Sequence, residues 1–329
     1  METNRKVMDS SKEYQVVEFE QIIERGCGLD VHEKMVVATI NGIGLKLETR
    51  TFDTFTSSLQ ELADWLSSHR ITHVAMESTG VYWKPIFNIL EENFHIILVN
   101  ARHLKSVPGR KTDKIDSQWI CKLLLSGLLK ASYVPQEKIR QLRDLSRYST
   151  KLIQQSASEK NRIQKILEDA NIKLSSVVSS ISGMVSTKLI DALIEGEADL
   201  EKFINSIYTK KLKATKADLL KAVTGRVTDH HRFMLRKIKK HIAFLEQEIA
   251  DLEAQMDEIL TDNKSVIELL STIPGVDKKA ATNIVAEIGV DVEAFPSEKH
   301  LAKWAGICPG NNESGGKKKA LEPPMATNI

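Results

Sequence analysis

Apolar residues recur along this chain with two different periods, and the change between them divides it. Gly26–His32 (GCGLDVH) and Lys34–Ile40 (KMVVATI) read as strands, and Asn41-Gly42 is a turn signal. Leu45–Thr51 reads as the third strand of a meander. Phe55, Leu59, Leu62, Ala63 and Leu66 recur at helical spacing, which predicts an amphipathic helix over 54–68. Ile71–Met76 reads as a buried strand ending at Glu77, 81–92 as a helix, His95–Val99 as another buried strand and 113–129 as a helix. Beyond Pro135 the pattern turns almost entirely helical. A long basic helix covers 137–170, and 174–225 breaks into shorter ones. Over 229–262, Leu235, Ile238, Ile242, Leu245, Ile249, Leu252, Met256 and Ile259 alternate spacings of three and four, a heptad that predicts a helix about 50 Å long.

The order β-β-β-α-β-α-β predicts an α/β, RNase H-like (RuvC-like) N-terminal domain, with three antiparallel strands followed by parallel strands reached through helices. Doubly wound nucleotide-binding folds begin strand-then-helix and use a Gly-rich phosphate loop, which this stretch lacks. The heptad predicts a coiled-coil arm that could dimerise, the alternative being a long helix packed inside its own domain. Leu269–Val276 followed by Ala280–Gly289 reads as a helix-hairpin-helix, whose hairpin amides can approach a DNA phosphate. An αα-hairpin of this kind also serves purely structural ends. The expected division is a lead-in (1–25), the α/β domain (26–135), a helical linker region (136–228), the coiled coil (229–262), a C-terminal domain (263–319) and a tail (320–329).

The 329 residues suffice for two domains, and 42% hydrophobic with 27% charged residues is globular; only 5% aromatics makes the core mainly aliphatic. Net charge is only +2, so a polyanion partner requires segregated charge. Arg102, Lys105, Arg110, Lys111 and Lys114 form one basic cluster. Lys210, Lys211, Lys213, Lys216 and Lys221 form a second, and Arg232, Arg236, Lys237, Lys239 and Lys240 a third. Each can be a nucleic-acid footprint or a solvated helix face. Cys27, Cys121 and Cys308 share no metal-type spacing, which points to a reducing compartment. Neither a signal peptide nor a run near 18 apolar residues occurs, so no membrane and a cytoplasmic location are expected.

Four acids carry the candidate chemistry. Asp30 lies inside the first strand between apolar neighbours, where a carboxylate costs several kcal/mol unless it is paired or binds metal. Glu77 ends the fourth strand, which should lie beside the first. Asp113 and Asp116, three apart at a helix start, share one face. Each has a plainer reading, such as N-cap, first-turn acid or lysine partner. Together they would repel unless hard divalent cations were bound, and two Mg²⁺ ions so held stabilise the attacking and leaving oxygens of phosphoryl transfer.

The residues GLDVH, MESTGVYW, VNARHLKSVPGRKTDKIDSQWI, IPGV, AEIG and LAKWAGICPGNNESGGKKK, spread over 26–319, resemble the DEDD-type insertion-sequence transposases, the bridge-RNA-guided recombinases. The resemblance implies a Mg²⁺-binding catalytic set of Asp30, Glu77, Asp113 and Asp116. It implies a catalytic serine in a second domain, Ser314, which attacks DNA to form a phosphoserine link. It also implies a guide (bridge) RNA that pairs with DNA, so that base pairing reads sequence. Ser314 sits in a Gly-rich loop before Lys317, Lys318 and Lys319, an electropositive place to bring a hydroxyl to phosphate. Taken without the resemblance, it reads as a surface turn.

The chain departs from the family after Lys319, where a basic stretch with a Gly-Asn pair and an aromatic is usual. A one-base frame shift of plausible codons for 320–328 yields Ser-Gly-Thr-Thr-His-Gly-Asn-Lys-Tyr, so a frameshifted, shortened copy is expected. The functions left open are a DNA transposase/recombinase, a metal-dependent junction-resolving nuclease, and an inactive nucleic-acid-binding remnant. A homo-oligomer formed through the coiled coil is expected.

Overall fold

The computed structural model describes residues 23–100, 116–209 and 212–307, together with the backbone of 313–314 and 317–318. Two compact units divide the chain, Met1–Val134 and Pro135–Ile329.

The first unit is built on a mixed five-stranded sheet. Its strands are β1 (Arg25–Val31), β2 (Met35–Gly42), β3 (Glu48–Asp53), β4 (His73–Glu77) and β5 (His95–Val99), in the order β3-β2-β1-β4-β5. β1 runs antiparallel to β2 and parallel to β4, with Leu29 opposite Met76. The element order is the expected one. The Asn-Gly signal is displaced, because Asn41 and Gly42 still pair with Gly26 and Arg25. The reversal falls at Ile43-Gly44, where Gly44 takes φ +74°. The third strand accordingly starts at Glu48 and leaves Leu47 exposed.

Two layers of helix sandwich this sheet. Leu59, Leu62 and Leu66 of α1 (Thr56–Ser68) are fully buried, with Ile86 and Leu90 of α2 (Trp83–Leu90), on the face carrying Cys27, Leu29 and Val31. Each such side chain stabilises the fold by about 1.5–3 kcal/mol. Phe55, read as part of the α1 stripe, is 75% exposed. It caps the helix in an extended conformation, so its side chain lies off the helical face; Trp65 packs on Phe52 instead. Against the opposite face lies α3 (Asp116–Leu125), whose Ile120, Leu123 and Leu124 cluster with Ala75 and Val99.

α1 ends in a Schellman turn: the Arg70 amide donates to Ser67 O and the Ile71 amide to Leu66 O. The left-handed residue of this turn is Arg70, at φ +53°, where glycine or asparagine is usual. A side chain there costs about 1–2 kcal/mol.

The second unit is helical. α4 (Glu137–Asp169) is followed by α5 (Met184–Glu195), α6 (Leu200–Ile207), α7 (Lys216–Val223) and α8 (Asp229–Ile259). Asp169 meets His231 and Lys160 meets Glu246, so α4 and α8 run antiparallel. The heptad of α8 faces α4 of the same chain: Leu235, Ile238, Ile242, Leu245 and Met256 are buried, and Ile249 and Leu252 half-buried. Aliphatic clusters close both ends of the pair, one formed with α5–α7 and one with α9 (Lys264–Leu270) and α10 (Lys278–Ile288). The seam between them is polar on the α4 side, with Ser149, Ser156 and Glu159 buried. α9, the turn at Pro274-Gly275 and α10 form a helical hairpin, and α11 (Glu298–Trp304) follows. The chain then forms the short antiparallel pair β6 (Glu313–Ser314) and β7 (Lys317–Lys318). Among the described residues no helix is long and apolar enough to cross a membrane.

Candidate active site

Strand alternation assigns the two acids of the sheet to one face. Cys27, Leu29 and Val31 enter the core beneath α1 and α2, so Gly26, Gly28 and Asp30 face the α3 side. Glycines at the first two positions let the helix come down onto the strand backbone. A Cβ at Gly28 would lie 2.2 Å from the Ser117 carbonyl oxygen and 2.3 Å from the Cys121 nitrogen; one at Gly26 would lie 2.8 Å from Leu124. The row Gly26, Gly28, Asp30 therefore runs from the C-terminal part of α3 toward its first residue, Asp116. Two contacts hold this seat. Ser117 Oγ bonds Thr39 Oγ1 at 2.8 Å, and Thr39 bonds Thr49 at 2.9 Å. Cys121 Sγ donates to Gly26 O at 3.5 Å.

On β4, Ala75 packs into the α3 cluster, and Glu77 lies two residues further along the same face. Asp30 and Glu77 are each one residue past the Leu29–Met76 pair, so they are neighbours across parallel strands at the C-terminal edge of the sheet. Asp30 is mostly buried and contacts His32 Nε2 at 2.9 Å. Glu77 Oε1 accepts from Thr79 Oγ1 at 2.9 Å. Asp30 and Glu77 thus stand side by side at one edge, on the face against which α3 packs. Among the described residues, no group of three His, Cys, Asp or Glu side chains lies close enough to hold a metal ion. Asp113 and the basic cluster Arg102, Lys105, Arg110, Lys111 and Lys114 lie outside the described residues, as does Lys319.

Other groups are disposed differently. Ser314 pairs with Lys317 across the β6–β7 hairpin, at the end of the second unit. Two members of the third basic cluster are paired with acids of α5: Lys239 bonds Asp191, and Arg236 contacts Glu195 at 3.5 Å. Burial pushes the Cys121 thiol up to about 11 and that of Cys27 well above its usual range, so both stay protonated and neither is a thiolate nucleophile. Sequence reasoning missed His32 as the partner of Asp30. It also missed the glycines that seat α3, although the spacing Gly26-x-Gly28-x-Asp30 displays a side-chain-free face ending in a carboxylate.

Comparison with known families matches residues 27–172 to DEDD-type IS110 transposases and residues 267–324 to the family described as Transposase IS116/IS110/IS902. The chain belongs to this transposase family. A pilin gene-inverting protein of Moraxella bovis is 24% identical over 298 residues, covering 83% of this chain and 73% of the relative. A probable family 20 transposase of Pseudomonas aeruginosa is 24% identical over 251 residues, covering 75% and 64%. This IS110-type transposase is accordingly an enzyme acting on DNA, a transposase/recombinase. The first match takes in the acidic edge and α4, and the second the helical hairpin and the Ser314 turn.

Proposed function

We propose that this transposase has an RNase H-like domain that cleaves and rejoins DNA using Asp30, Glu77, Asp113 and Asp116 together with Ser314, on DNA selected by a guide RNA. The observation that carries this reading is the adjacency of Asp30 and Glu77 at one sheet edge, on the face against which glycine-seated α3 packs. A donor set made of carboxylate oxygens suits a hard cation such as Mg²⁺. Bound there, the metal would supply charge neutralisation at the reacting phosphate. The chain's own part is positional. Strand pairing holds the first two carboxylates side by side, and α3 begins at the third, Asp116. Ser314 Oγ attacks phosphorus, the deoxyribose oxygen leaves and takes up a proton, and the strand end is held as a phosphoserine ester. Attack by the hydroxyl of another strand end forms the new phosphodiester and returns the serine its proton. Lys317 and Lys318, and the cluster from Arg102 to Lys114, would contact nucleic-acid phosphates.

A strand-transfer assay with Mg²⁺ and the noncoding RNA encoded beside the gene tests this. Asp30→Ala and Glu77→Ala should abolish product, and Ser314→Ala should abolish both product and the covalent protein–DNA species. Nicking retained by Ser314→Ala would support a metal-dependent nuclease instead. Strand transfer that is indifferent to Asp30→Ala would overturn the acidic site.

A further inference from the structure

The sheet end farthest from the acids carries a second feature. A cleft of about 580 Å³ opens where β4 and β5 begin, about 13 Å along β4 from Glu77. Its volume falls in the range of small-molecule sites. Ile97 and Leu129 line it with aliphatic surface, and Arg70, Thr72, His73 and His95 supply polar groups.

The imidazoles of His73 and His95 face each other across the paired strands, with ring centroids 4.9 Å apart and planes at 63°. Thr72 Oγ1 donates to the Arg25 carbonyl at 3.2 Å, so its 2.9 Å contact with His73 Nδ1 is accepted from that nitrogen. This leaves His73 Nε2 as an acceptor. Burial, and then the neighbouring His95, hold the His73 pKa below its ordinary 6.5, so the ring is neutral at pH 7. The cleft therefore combines flat aromatic rings, a hydrogen-bond acceptor and an apolar wall.

Arg70 is the second observation. The left-handed positions following α4 and α5 are filled by Asn171 and Gly196, whereas α1 keeps an arginine in that strained conformation. Arg70 is exposed and has no partner among the described residues. The guanidinium of Arg25 is committed to the carbonyls of Ile43 and His69, so among the described residues lining the cleft Arg70 is the cation left for a ligand. Backbone strain retained at a pocket rim is the pattern expected of a binding residue.

We propose that this cleft is a second ligand site that takes one nucleotide, its base against the imidazole pair and the aliphatic wall and its phosphate on Arg70. Glu24 also lines the cleft and supplies a carboxylate, an acceptor for an exocyclic amine. The nucleotide can be free or part of a single strand. The site is independent of the acidic edge and of the strand-transfer reading.

Calorimetric titration of the full chain in metal-free buffer with EDTA tests this while the acidic edge stays silent. The probes are the four nucleoside 5′-monophosphates, inorganic phosphate and a ten-nucleotide single strand of DNA. Saturable one-site binding of at least one monophosphate, tighter than phosphate alone, is expected. Arg70→Gly should weaken it at least tenfold, while relief of the left-handed strain raises the melting temperature of the first unit by about 2–4 °C. A strand that binds more tightly than the monophosphate, with the same loss in Arg70→Gly, identifies the strand as the source; a monophosphate that binds as tightly identifies the free nucleotide. Absence of monophosphate binding, phosphate binding as tight as any nucleotide, or unchanged affinity in Arg70→Gly would overturn the proposal.

Discussion

Two buried helix contacts in this molecule are built on opposite plans. α3 is laid onto β1 with glycine beneath it, so helix and strand backbones nearly touch, and the buried hydroxyls of Ser117 and Thr39 bond each other at 2.8 Å. The α4–α8 seam is closed at both ends by aliphatic clusters, but its middle buries Ser149 and Ser156, neither hydroxyl having a hydrogen-bond partner among the described residues. The first contact brings the backbones of α3 and β1 together over Gly28, so it leaves little room for displacement. The second only has to hold two long helices side by side, and its polar middle gives up stability without disturbing register. Positional demand, more than burial, separates the two.

The largest test of this contrast is Gly28→Ala. A methyl group 2.2 Å from the Ser117 carbonyl cannot be accommodated by side-chain motion, so α3 must lift. Loss of more than about 3 kcal/mol from the first unit is expected by denaturant unfolding, together with loss of strand transfer. Wild-type stability would show that the seat of α3 is not tight. Ser117→Ala should cost about 1–2 kcal/mol, since it strips Thr39 of one of its two hydroxyl partners. A smaller effect concerns pH. His73 is held below 6.5 in the folded state, so the unfolded chain binds more protons on acidification. Its contribution to stability is present above pH 6.5 and is lost as pH falls toward the depressed folded value. His73→Gln should flatten the melting-temperature profile of the first unit over that window; an unchanged slope would contradict it. The smallest effect has the opposite sign from Ser117→Ala. The double change Ser149→Ala and Ser156→Ala removes two unpartnered buried hydroxyls and adds helix propensity, so it should be neutral or stabilise by about 0.5–1 kcal/mol. A loss comparable to that of Ser117→Ala would erase the distinction drawn between the two contacts.

Much of this was legible before the structure. Short apolar runs marked β4 and β5, because a strand buried on both faces reads as a near-continuous hydrophobic stretch. The helical period marked α1, and the heptad marked α8. Boundaries were less legible. Asn41-Gly42 is a strong turn signal locally, but pairing with Arg25 and Gly26 carries β2 through it. Phe55 belongs to the apolar stripe of α1 by spacing, yet it precedes the helix and is exposed. The partner of the heptad was not legible at all, since a seam that suits a second chain also suits α4 of the same one.

The sequence by itself determined the elements, their order, and the assignment of Asp30 and Glu77 to adjacent strand ends, because side-chain period and chain order are local properties. Only the tertiary structure decided how α3 is seated, that α8 packs along α4, and that Arg70, His73 and His95 share one cleft. Those residues are 3 to 25 positions apart with polar and apolar neighbours of no special period. What unites them is the pairing of β4 with β5, a contact between strands that no local pattern encodes.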